Sequence, residues 1–410
     1  MTLSRDRLVE SSYAWLRLSV AVLMGTIAGV GMWTAVVALP VVQAEFGVSR
    51  ADATLPATLG MIAFMLGGMV LGRLTDRSGV FIPVLAGSIA LGVGYVLLAW
   101  ATNLFTFVLI YALTICAIGS AAMFSPLVAD TSLWFDRRRG IAVALCASGN
   151  YFAGTLWPPI LQAAMDSWGW RVSFVGVGLF CLVTLVPMSL VMRRPAPATA
   201  PARTVITAAE REAARPLGLP PNAVQAILMF AGIACCIAMA MPQVHIVAYC
   251  TDLGFGAARG AEMLSLMLLT GAVSRLGFGL VMDRIGGTGT LLLGSFLQMV
   301  ALALFLPFDG LVSLYVISAL FGLFQGGIVP SYAMIVRELF PPREAGTRMS
   351  LALSSTLAGM AIGGWMSGAI FDATGSYQAA IVNGIAWNMV NLAIATWLAL
   401  RVRKQRPAYA

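Results

Sequence analysis

Apolar residues in this chain form long continuous runs, unlike the alternating or one-sided patterns of a soluble domain. Stretches such as residues 16–40, 81–100 and 224–249 contain about 20 residues with no acidic or basic side chain after their first position or two. A helix of about 20 residues crosses roughly 30 Å of hydrocarbon, because each residue adds about 1.5 Å. The pattern therefore predicts helices that span a membrane.

Twelve such helices are predicted, so the fold class is all-α integral membrane protein. The first run is too long for the core of a signal peptide and lacks an evident cleavage site, so we expect it to remain in the protein. The predicted helices lie near residues 16–40, 54–74, 80–100, 104–130, 139–163, 171–192, 223–250, 260–282, 288–308, 310–336, 346–371 and 378–401.

Composition agrees with a membrane protein and leaves little for enzyme chemistry. Apolar residues make up 60% of the chain and charged residues 10%, whereas soluble domains carry about 25% charged residues. His245 is the single histidine of the chain. Metal sites with two histidines are therefore excluded, and any Ser/His/Asp triad would have to use this residue. We expect no enzyme activity, metal or cofactor. The cysteines are expected to be buried apolar residues: Cys116, Cys146, Cys181, Cys235, Cys236 and Cys250.

The net charge of +8 follows membrane topology. Of the 25 Lys and Arg residues, 21 lie with the two termini and the even-numbered loops. The opposite side has three, Arg50, Arg171 and Arg259, and Arg275 lies inside a helix. Cationic loops stay in the cytoplasm, so we predict an inner-membrane protein whose termini and long central loop are cytoplasmic. Nucleic-acid binding is not indicated.

An internal repeat divides the chain. The segment Gly72–Gly79 ends the second helix, and Gly279–Gly286, which shares its Gly-x-x-x-Asp-Arg-x-Gly pattern, ends the eighth, 207 residues later. A second set, Phe135, Arg138, Gly140, Asp166 and Gly169, recurs as Phe340, Arg343, Gly346, Asp372 and Gly375. Duplication of one half of the chain explains both sets of repeated residues. We predict two pseudo-symmetric six-helix halves, residues 1–192 and 223–410, joined by a cytoplasmic linker at 193–222 with an amphipathic helix around 207–214.

Arg275 is the main candidate for substrate binding. It lies four residues from the middle of the predicted helix 260–282, roughly 6 Å from the midplane by helical rise. An arginine there costs about 2.5–3.5 kcal/mol on insertion scales, and its planar fork can bind a carboxylate through two nitrogens. The alternative is a structural arginine satisfied by backbone carbonyls or by Asp283.

Weaker candidates are polar or aromatic residues within the other helices. Each could contact substrate or could instead serve packing and interhelical hydrogen bonding. His245, near the outer end of helix 7, could relay a proton or gate the site, or could be an ordinary hydrogen-bonded histidine. Asp130 is expected to pair with Arg137 to Arg139. The candidate substrate ligands are Asn150, Tyr151, Tyr111, Gln325 and Trp33.

The repeated Gly-x-x-x-Asp-Arg-x-Gly box resembles the signature loop of the major facilitator superfamily. This resemblance implies alternating-access transport, with the two halves rocking about a central site. The charges of the box would then act as a cytoplasmic latch that opens and closes with the halves. These residues are Asp76, Arg77, Asp283 and Arg284.

Two segments, residues 40–50 and 134–142, resemble the monocarboxylate transporters and the oxalate:formate antiporters, and Arg275 matches an arginine of their helix 8. There are also departures. Animal monocarboxylate carriers have an acidic residue one turn before that arginine, where this chain has Gly271. Their helix-1 lysine is absent, since Lys404 is the only lysine. Helix 11, where the oxalate exchanger has a second cation, has no Lys or Arg from Ser350 to Phe371. Proton coupling through a helix-8 carboxylate and binding of a divalent anion are therefore disfavoured.

We predict a secondary transporter, acting as a monomer in the lipid bilayer, that moves small monocarboxylates such as lactate or pyruvate, with a proton as the expected coupling ion. The alternatives are an oxalate- or formate-like anion exchanger, a drug exporter, or a membrane sensor without transport. A sensor would be expected to carry a soluble signalling domain, but the longest loop has about 30 residues.

Overall fold

The computed structural model describes residues 9–135, 137–196, 216–340 and 342–405. These residues are mostly helical, and no strand occurs among them. Ten helical segments in the described part of the chain are long and apolar enough to cross a membrane. Two of the ten, Arg139–Ser189 and Ala257–Leu304, contain 51 and 48 residues, about twice the length that one crossing needs.

A glycine with non-helical backbone angles interrupts each long helix, at Gly169 (φ 74°, ψ 159°) and Gly286 (φ 75°, ψ 175°). Dividing them there gives twelve spanning helices in the described residues, which confirms the predicted number. They are α1 (Ser12–Val37), α2 (Leu55–Ser78), α3 (Phe81–Leu98), α4 (Leu104–Trp134), α5 (139–168), α6 (170–189), α7 (Pro221–Asp252), α8 (257–285), α9 (287–304), α10 (Leu311–Leu339), α11 (Pro342–Thr374) and α12 (Tyr377–Gln405).

Shorter elements connect these helices. Helices Leu39–Phe46 and Arg50–Ala53 lie between α1 and α2, and the 3-10 turns Leu190–Arg193 and Pro216–Gly218 lie between α6 and α7. The predicted amphipathic helix at 207–214 falls outside the described residues.

The repeated sequence motifs form equivalent turns in the two halves. Gly79 and Gly286 join α2 to α3 and α8 to α9, with φ of 76° and 75°. Gly169 and Gly375 join α5 to α6 and α11 to α12, with φ of 74° and 68°. Side chains other than glycine rarely adopt such angles. The duplicated glycines therefore repeat one backbone conformation, as expected of two pseudo-symmetric six-helix halves.

Packing divides the chain into two compact units. The first consists of Met1–Pro201 with Cys250–Ser265, and the second of Ala202–Tyr249 with Leu266–Ala410. The last three residues of α7 and the connection to α8 thus group with the first unit. The predicted boundaries at residues 193–222 stay a prediction, because residues 197–215 of that linker are not described.

Burial separates the surface that faces lipid from the packed interior. Leu276, Val312 and Val183 are 77%, 75% and 73% exposed, as expected of side chains that contact hydrocarbon. In contrast, 72% of the most apolar stretch of α7 is buried. A Cβ at Gly363 on α11 would lie 2.7 Å from the Cα of Ile237 on α7. Small residues therefore let α7 and α11 approach closely.

A buried ion pair holds the first unit together at the end of α4. The Arg17 guanidinium on α1 donates to both carboxylate oxygens of Asp130, at 2.8 and 3.1 Å, and to the carbonyls of Val191 and Met192 beyond α6. Asp130 therefore pairs with Arg17 and not, as expected, with Arg137 or Arg138. Arg17 and Asp130 are 2% and 5% exposed, so losing one partner would strand a buried charge, at a cost of about 3–5 kcal/mol.

All three arginines assigned to the outer side form ion pairs. Their partners come from the same side, and the shortest N···O distances are 2.9, 2.7 and 3.0 Å for Arg50–Asp252, Arg171–Glu45 and Arg259–Glu262. Hydrogen bonding from Arg171 lowers the pKa of the Glu45 carboxyl below its usual value. Arg50–Asp252 and Arg171–Glu45 join different elements, whereas Arg259 and Glu262 lie three residues apart on α8.

Replacing Gly79 with alanine tests the turn conformation. Gly79→Ala should lower the free energy of unfolding by about 1–3 kcal/mol, because alanine is strained at this φ and ψ. Space is not the cause, since no atom lies within 4 Å of the new Cβ. Gly72→Ala is the matched control, because Gly72 also has an open surrounding but lies inside α2. Equal stability of the two variants in detergent unfolding would contradict the assignment.

Candidate substrate-binding site

Helix α1 is interrupted near the middle of its span. Its two segments, Ser12–Ala28 and Val30–Val37, meet at Gly29. Beyond the break, the Tyr111 hydroxyl of α4 donates to the Gly31 carbonyl and accepts from the Ala35 N–H at 3.3 Å. The hydroxyl thus stands between a carbonyl and an amide four residues apart, the usual partners of a helical hydrogen bond. It satisfies both groups in a region without water.

Helix α4 is irregular where it meets this break. Residues Tyr111–Ser120 form a π-helix, and a turn at residues 123–124 precedes the helix Ser125–Trp134. Ser120 Oγ donates to the Ala28 carbonyl at 3.0 Å. The two irregular helices therefore satisfy each other. Short π-helical segments often occur at functional sites, so this junction is a candidate site in the first unit.

A small pocket lies at the junction of α1, α4 and α5. Asn150, a predicted substrate ligand, contributes the one side-chain amide of the lining. Its position depends on a close approach of α5 to α1, because a Cβ at Gly149 would lie 3.0 Å from the Val22 carbonyl oxygen. The lining residues are Gly25, Gly29, Met32, Phe64, Ser120, Met123, Phe124, Cys146 and Asn150.

Three other predicted ligands lie in the first unit. Trp33 and Tyr151 are half-buried, and the Trp33 indole donates to the Asn150 carbonyl at 3.4 Å. Tyr111, in contrast, is 1% exposed, and its hydroxyl serves the backbone of α1. The structure thus brings Trp33 and Asn150 together but gives Tyr111 a role in helix packing.

Helix α10 has a corresponding break in the second unit. The segments Leu311–Gln325 and Ile328–Leu339 are separated by Gly326 and Gly327. Helix α8 packs against this break, since a Cβ at Gly326 would lie 2.5 Å from Ser274 Oγ and 2.8 Å from the backbone nitrogen of Arg275. The glycines therefore bring the backbone around Arg275 next to Gln325.

Arg275 is half-buried on α8. Gly271 and Leu268, on the same side of the helix one and two turns earlier, are buried, whereas Val273 and Leu276 are 59% and 77% exposed. The arginine thus lies on the packed flank of α8. In the observed helix 257–285 it is again four residues from the middle.

A buried pair of glutamines, one on α7 and one on α10, was not predicted from the sequence. Gln243 on α7 donates from Nε2 to Gln325 Oε1 at 2.7 Å, and the two residues are 8% and 3% exposed. The available signal was a glutamine within an otherwise apolar span, which is costly unless it is satisfied. The nearby His245 was predicted as a candidate instead, because a histidine side chain can titrate near neutral pH.

His245 is fully buried and joins three helices. Its Nε2 lies 2.8 Å from the Gly364 carbonyl oxygen on α11 and therefore carries a proton that it donates. Its Nδ1 lies 3.0 Å from the Tyr377 hydroxyl on α12. Both ring nitrogens thus contact other helices of the second unit.

The predicted latch residues lie at the ends of α2 and α8. Arg77, Asp283 and Arg284 are exposed, and Asp76 lies in the last turns of α2. Nearby, Glu338 of α10 accepts a hydrogen bond from the Gly287 N–H at 2.9 Å, which satisfies one amide at the start of α9. The latch itself stays a prediction.

Sequence comparison places this helical architecture in a known family. The sequence model of the Major Facilitator Superfamily matches residues 21–316 and 263–409, which together cover nearly the whole chain. The chain belongs to the Major Facilitator Superfamily. The family and fold are those of transporters, and this member is a multi-pass membrane transporter.

The superfamily members that are similar to this chain are named as different kinds of transporter. Monocarboxylate transporter 13 of Rattus norvegicus is 26% identical, over 80% of this chain and 75% of that protein. The MFS-type transporter pynF of Aspergillus niger is 24% identical, over 80% of this chain and 74% of that protein. Human monocarboxylate transporter 11 is 27% identical, over 60% of this chain and 51% of its own length.

Solved structures agree on the superfamily fold. A bacterial homologue of the human lysosomal transporter Spinster superposes with a TM-score of 0.76 at 16% identity, covering 96% of this chain and 98% of that chain. The nucleoside transporter NupG gives 0.75 at 13% identity, covering 94% and 99%. At such identities the likeness establishes the fold alone.

Removing the Tyr111 hydroxyl tests its structural role. Tyr111→Phe should lower the free energy of unfolding by about 1–3 kcal/mol, because the Gly31 carbonyl and the Ala35 amide lose a buried partner. Tyr13→Phe is the matched control. The Tyr13 hydroxyl donates to the Val191 carbonyl, which also accepts from Arg17 and so keeps a partner. Unfolding in detergent should show a larger loss for Tyr111→Phe, and equal losses would contradict the assigned role.

Proposed function

We propose that this transporter moves small monocarboxylates, such as lactate or pyruvate, by alternating access. The observation that carries the proposal is the half-buried Arg275 near the middle of α8. Similarity to proteins named monocarboxylate transporters supports the same cargo. The alternatives, an anion exchanger and a drug exporter, share the fold.

The cargo assignment depends on the chemistry of the guanidinium. Arginine stays charged at any pH that the cell experiences, and its planar fork matches the two oxygens of a carboxylate. A charged group within a membrane span usually faces a partner or a watery cavity. A small organic anion could bind the guanidinium and would leave again when the carrier opens. One central cation favours a monoanion over a dianion.

Within the first unit, the proposed substrate contacts are uncharged groups. Asn150 lines the pocket at the α1 and α4 breaks. Tyr151 follows it in sequence, and the Trp33 indole donates to the backbone carbonyl of Asn150. Met32 and Phe64 add apolar surface to that pocket. Such a lining would accept a short carbon chain and limit its length.

The coupling ion is proposed not to travel on a carboxylate of α8, because Gly271 stands where animal monocarboxylate carriers have an acid. His245 is the remaining titratable candidate. Its Nδ1 can accept a hydrogen bond from Tyr377 when neutral, but must donate to that hydroxyl when protonated. A proton on the ring would therefore change the hydrogen bond between α7 and α12. Such a change is what a gating role of His245 would require.

Alternating access would require contacts on each side of the membrane to open in turn. On the cytoplasmic side we propose the latch formed by Asp76, Arg77, Asp283 and Arg284. On the outer side, both Asp252 oxygens accept from Arg50 Nη2, at 2.9 and 3.0 Å, which joins the connection after α1 to the end of α7. With termini and linker cytoplasmic, as 21 cations indicate, this pair would face the periplasm.

The proposed role of Arg275 is tested by ligand-induced stabilisation of purified protein. Lactate should raise the melting temperature of the wild type. Arg275→Lys should weaken lactate binding because the fork is lost, and Arg275→Gln should weaken it by roughly ten- to over a hundredfold, since a charge-assisted contact is worth about 1.5–3 kcal/mol. Arg259→Gln removes an exposed cation paired to Glu262 and is the control, which should bind lactate as the wild type does.

A structural arginine would give a different pattern. Arg275→Gln would then express poorly or melt earlier without ligand, and the surviving protein would bind lactate with unchanged affinity. Equal lactate shifts in wild type and Arg275→Gln would remove this arginine from the site, and with it the main reason for an anionic cargo.

A further inference from the structure

We propose that Gln325, oriented by Gln243, hydrogen-bonds an oxygen on the carbon next to the substrate carboxylate. The carrier would then select 2-hydroxy and 2-oxo acids over unsubstituted acids of the same length. This inference rests on the proposed function, because Arg275 is taken to hold the carboxylate. Gln243 acts as a positioning residue and is new to the site.

The amide of Gln325 is incompletely bonded within the described residues. Its Oε1 accepts from Gln243 Nε2 at 2.7 Å, while its Nε2 is buried and has no hydrogen-bond partner there. Exchanging the oxygen and nitrogen of both amides keeps the mutual bond and leaves the Gln325 oxygen unbonded instead. Either way, one end of this amide is held by α7 and the other end is available.

An unsatisfied amide inside a membrane span is costly, so this site would gain from a polar ligand. Gln298, a second buried glutamine in the same unit, provides the contrast. Its Nε2 donates to the Cys235 carbonyl at 3.3 Å and its Oε1 accepts from the thiol of the same residue at 3.7 Å. Gln298 thus uses both ends to join α9 to α7, whereas Gln325 keeps one end for another partner.

The position of Gln325 points to substrate as that partner. It is the last residue before the break in α10, and its neighbour Gly326 packs against the backbone nitrogen of Arg275. Ser274 Oγ also donates to the Leu323 carbonyl, which fixes α8 against the end of this segment. A carboxylate on Arg275 would therefore lie near the Gln325 amide, and its adjacent carbon would carry the oxygen to be bound.

The chemistry of an amide suits both members of the substrate class. The NH2 group donates to the keto oxygen of pyruvate or to the hydroxyl oxygen of lactate, and an amide oxygen could accept from the lactate hydroxyl. Propionate has the same number of carbon atoms but no oxygen at that position, so it would leave the amide unbonded. A site that binds a substrate oxygen rejects the analogue that lacks it.

The test compares dissociation constants for lactate, pyruvate and propionate, measured by titration calorimetry on purified protein. Wild type should bind lactate or pyruvate about tenfold or more tightly than propionate. Gln325→Met keeps the side-chain length without the amide and should bring that ratio close to one. Gln243→Met leaves Gln325 in place without its partner and should reduce the ratio partly. Gln298→Met is the control, which should keep the wild-type ratio even if its melting temperature falls.

Each outcome has a distinct meaning. If wild type binds the three acids equally, or if Gln325→Met weakens all three by the same factor, the inference is overturned and carboxylate binding by Arg275 still stands. If wild type binds none of the acids, the proposed function fails and this inference fails with it. Should Gln325→Met not fold, an unchanged ratio in Gln243→Met would be enough to overturn the role of the amide pair.

Discussion

The structure depends on one constraint, which is that backbone N–H and C=O groups inside a membrane must find partners within the protein. Regular helices meet it without help, and twelve long apolar runs do so here. Where a helix is interrupted, side chains can complete the bonding. At the α1 break, Ser120 Oγ and the Tyr111 hydroxyl bond to the carbonyls of Ala28 and Gly31. The irregular segments of α1 and α4 thus bond to each other.

This requirement places polar groups in the middle of the membrane span, where a transporter uses them. The broken α1 and the π-helical α4 border the pocket lined by Asn150. In the second unit, the break in α10 lies between Gln325 and the tightly packed backbone of Arg275. The candidate ligands are therefore held next to helix breaks, on helices that close packing fixes in position.

Sequence predicted those features that depend on local pattern or on duplication. Continuous apolar runs gave the twelve helices, and repeated motifs marked glycines that adopt matching positive φ angles. The place of Arg275 along α8, four residues from its middle, also followed from counting along one helix. Features that depend on distant contacts were missed or wrong. Asp130 binds Arg17, 113 residues away, rather than Arg137 or Arg138. The pairing of Gln243 with Gln325, 82 residues apart, has no signature in either local sequence. The π-helix in α4 likewise has no evident sequence signal.

We propose that the chain carries monocarboxylates across a membrane, and lactate uptake into liposomes is the measurement that decides it. Purified protein would be reconstituted, and entry of labelled lactate followed with and without an inward proton gradient, against protein-free liposomes that report passive permeation. We expect entry well above that background and inhibition by excess unlabelled pyruvate. Lactate entry equal to the protein-free background, from protein shown to be folded and inserted, would contradict it.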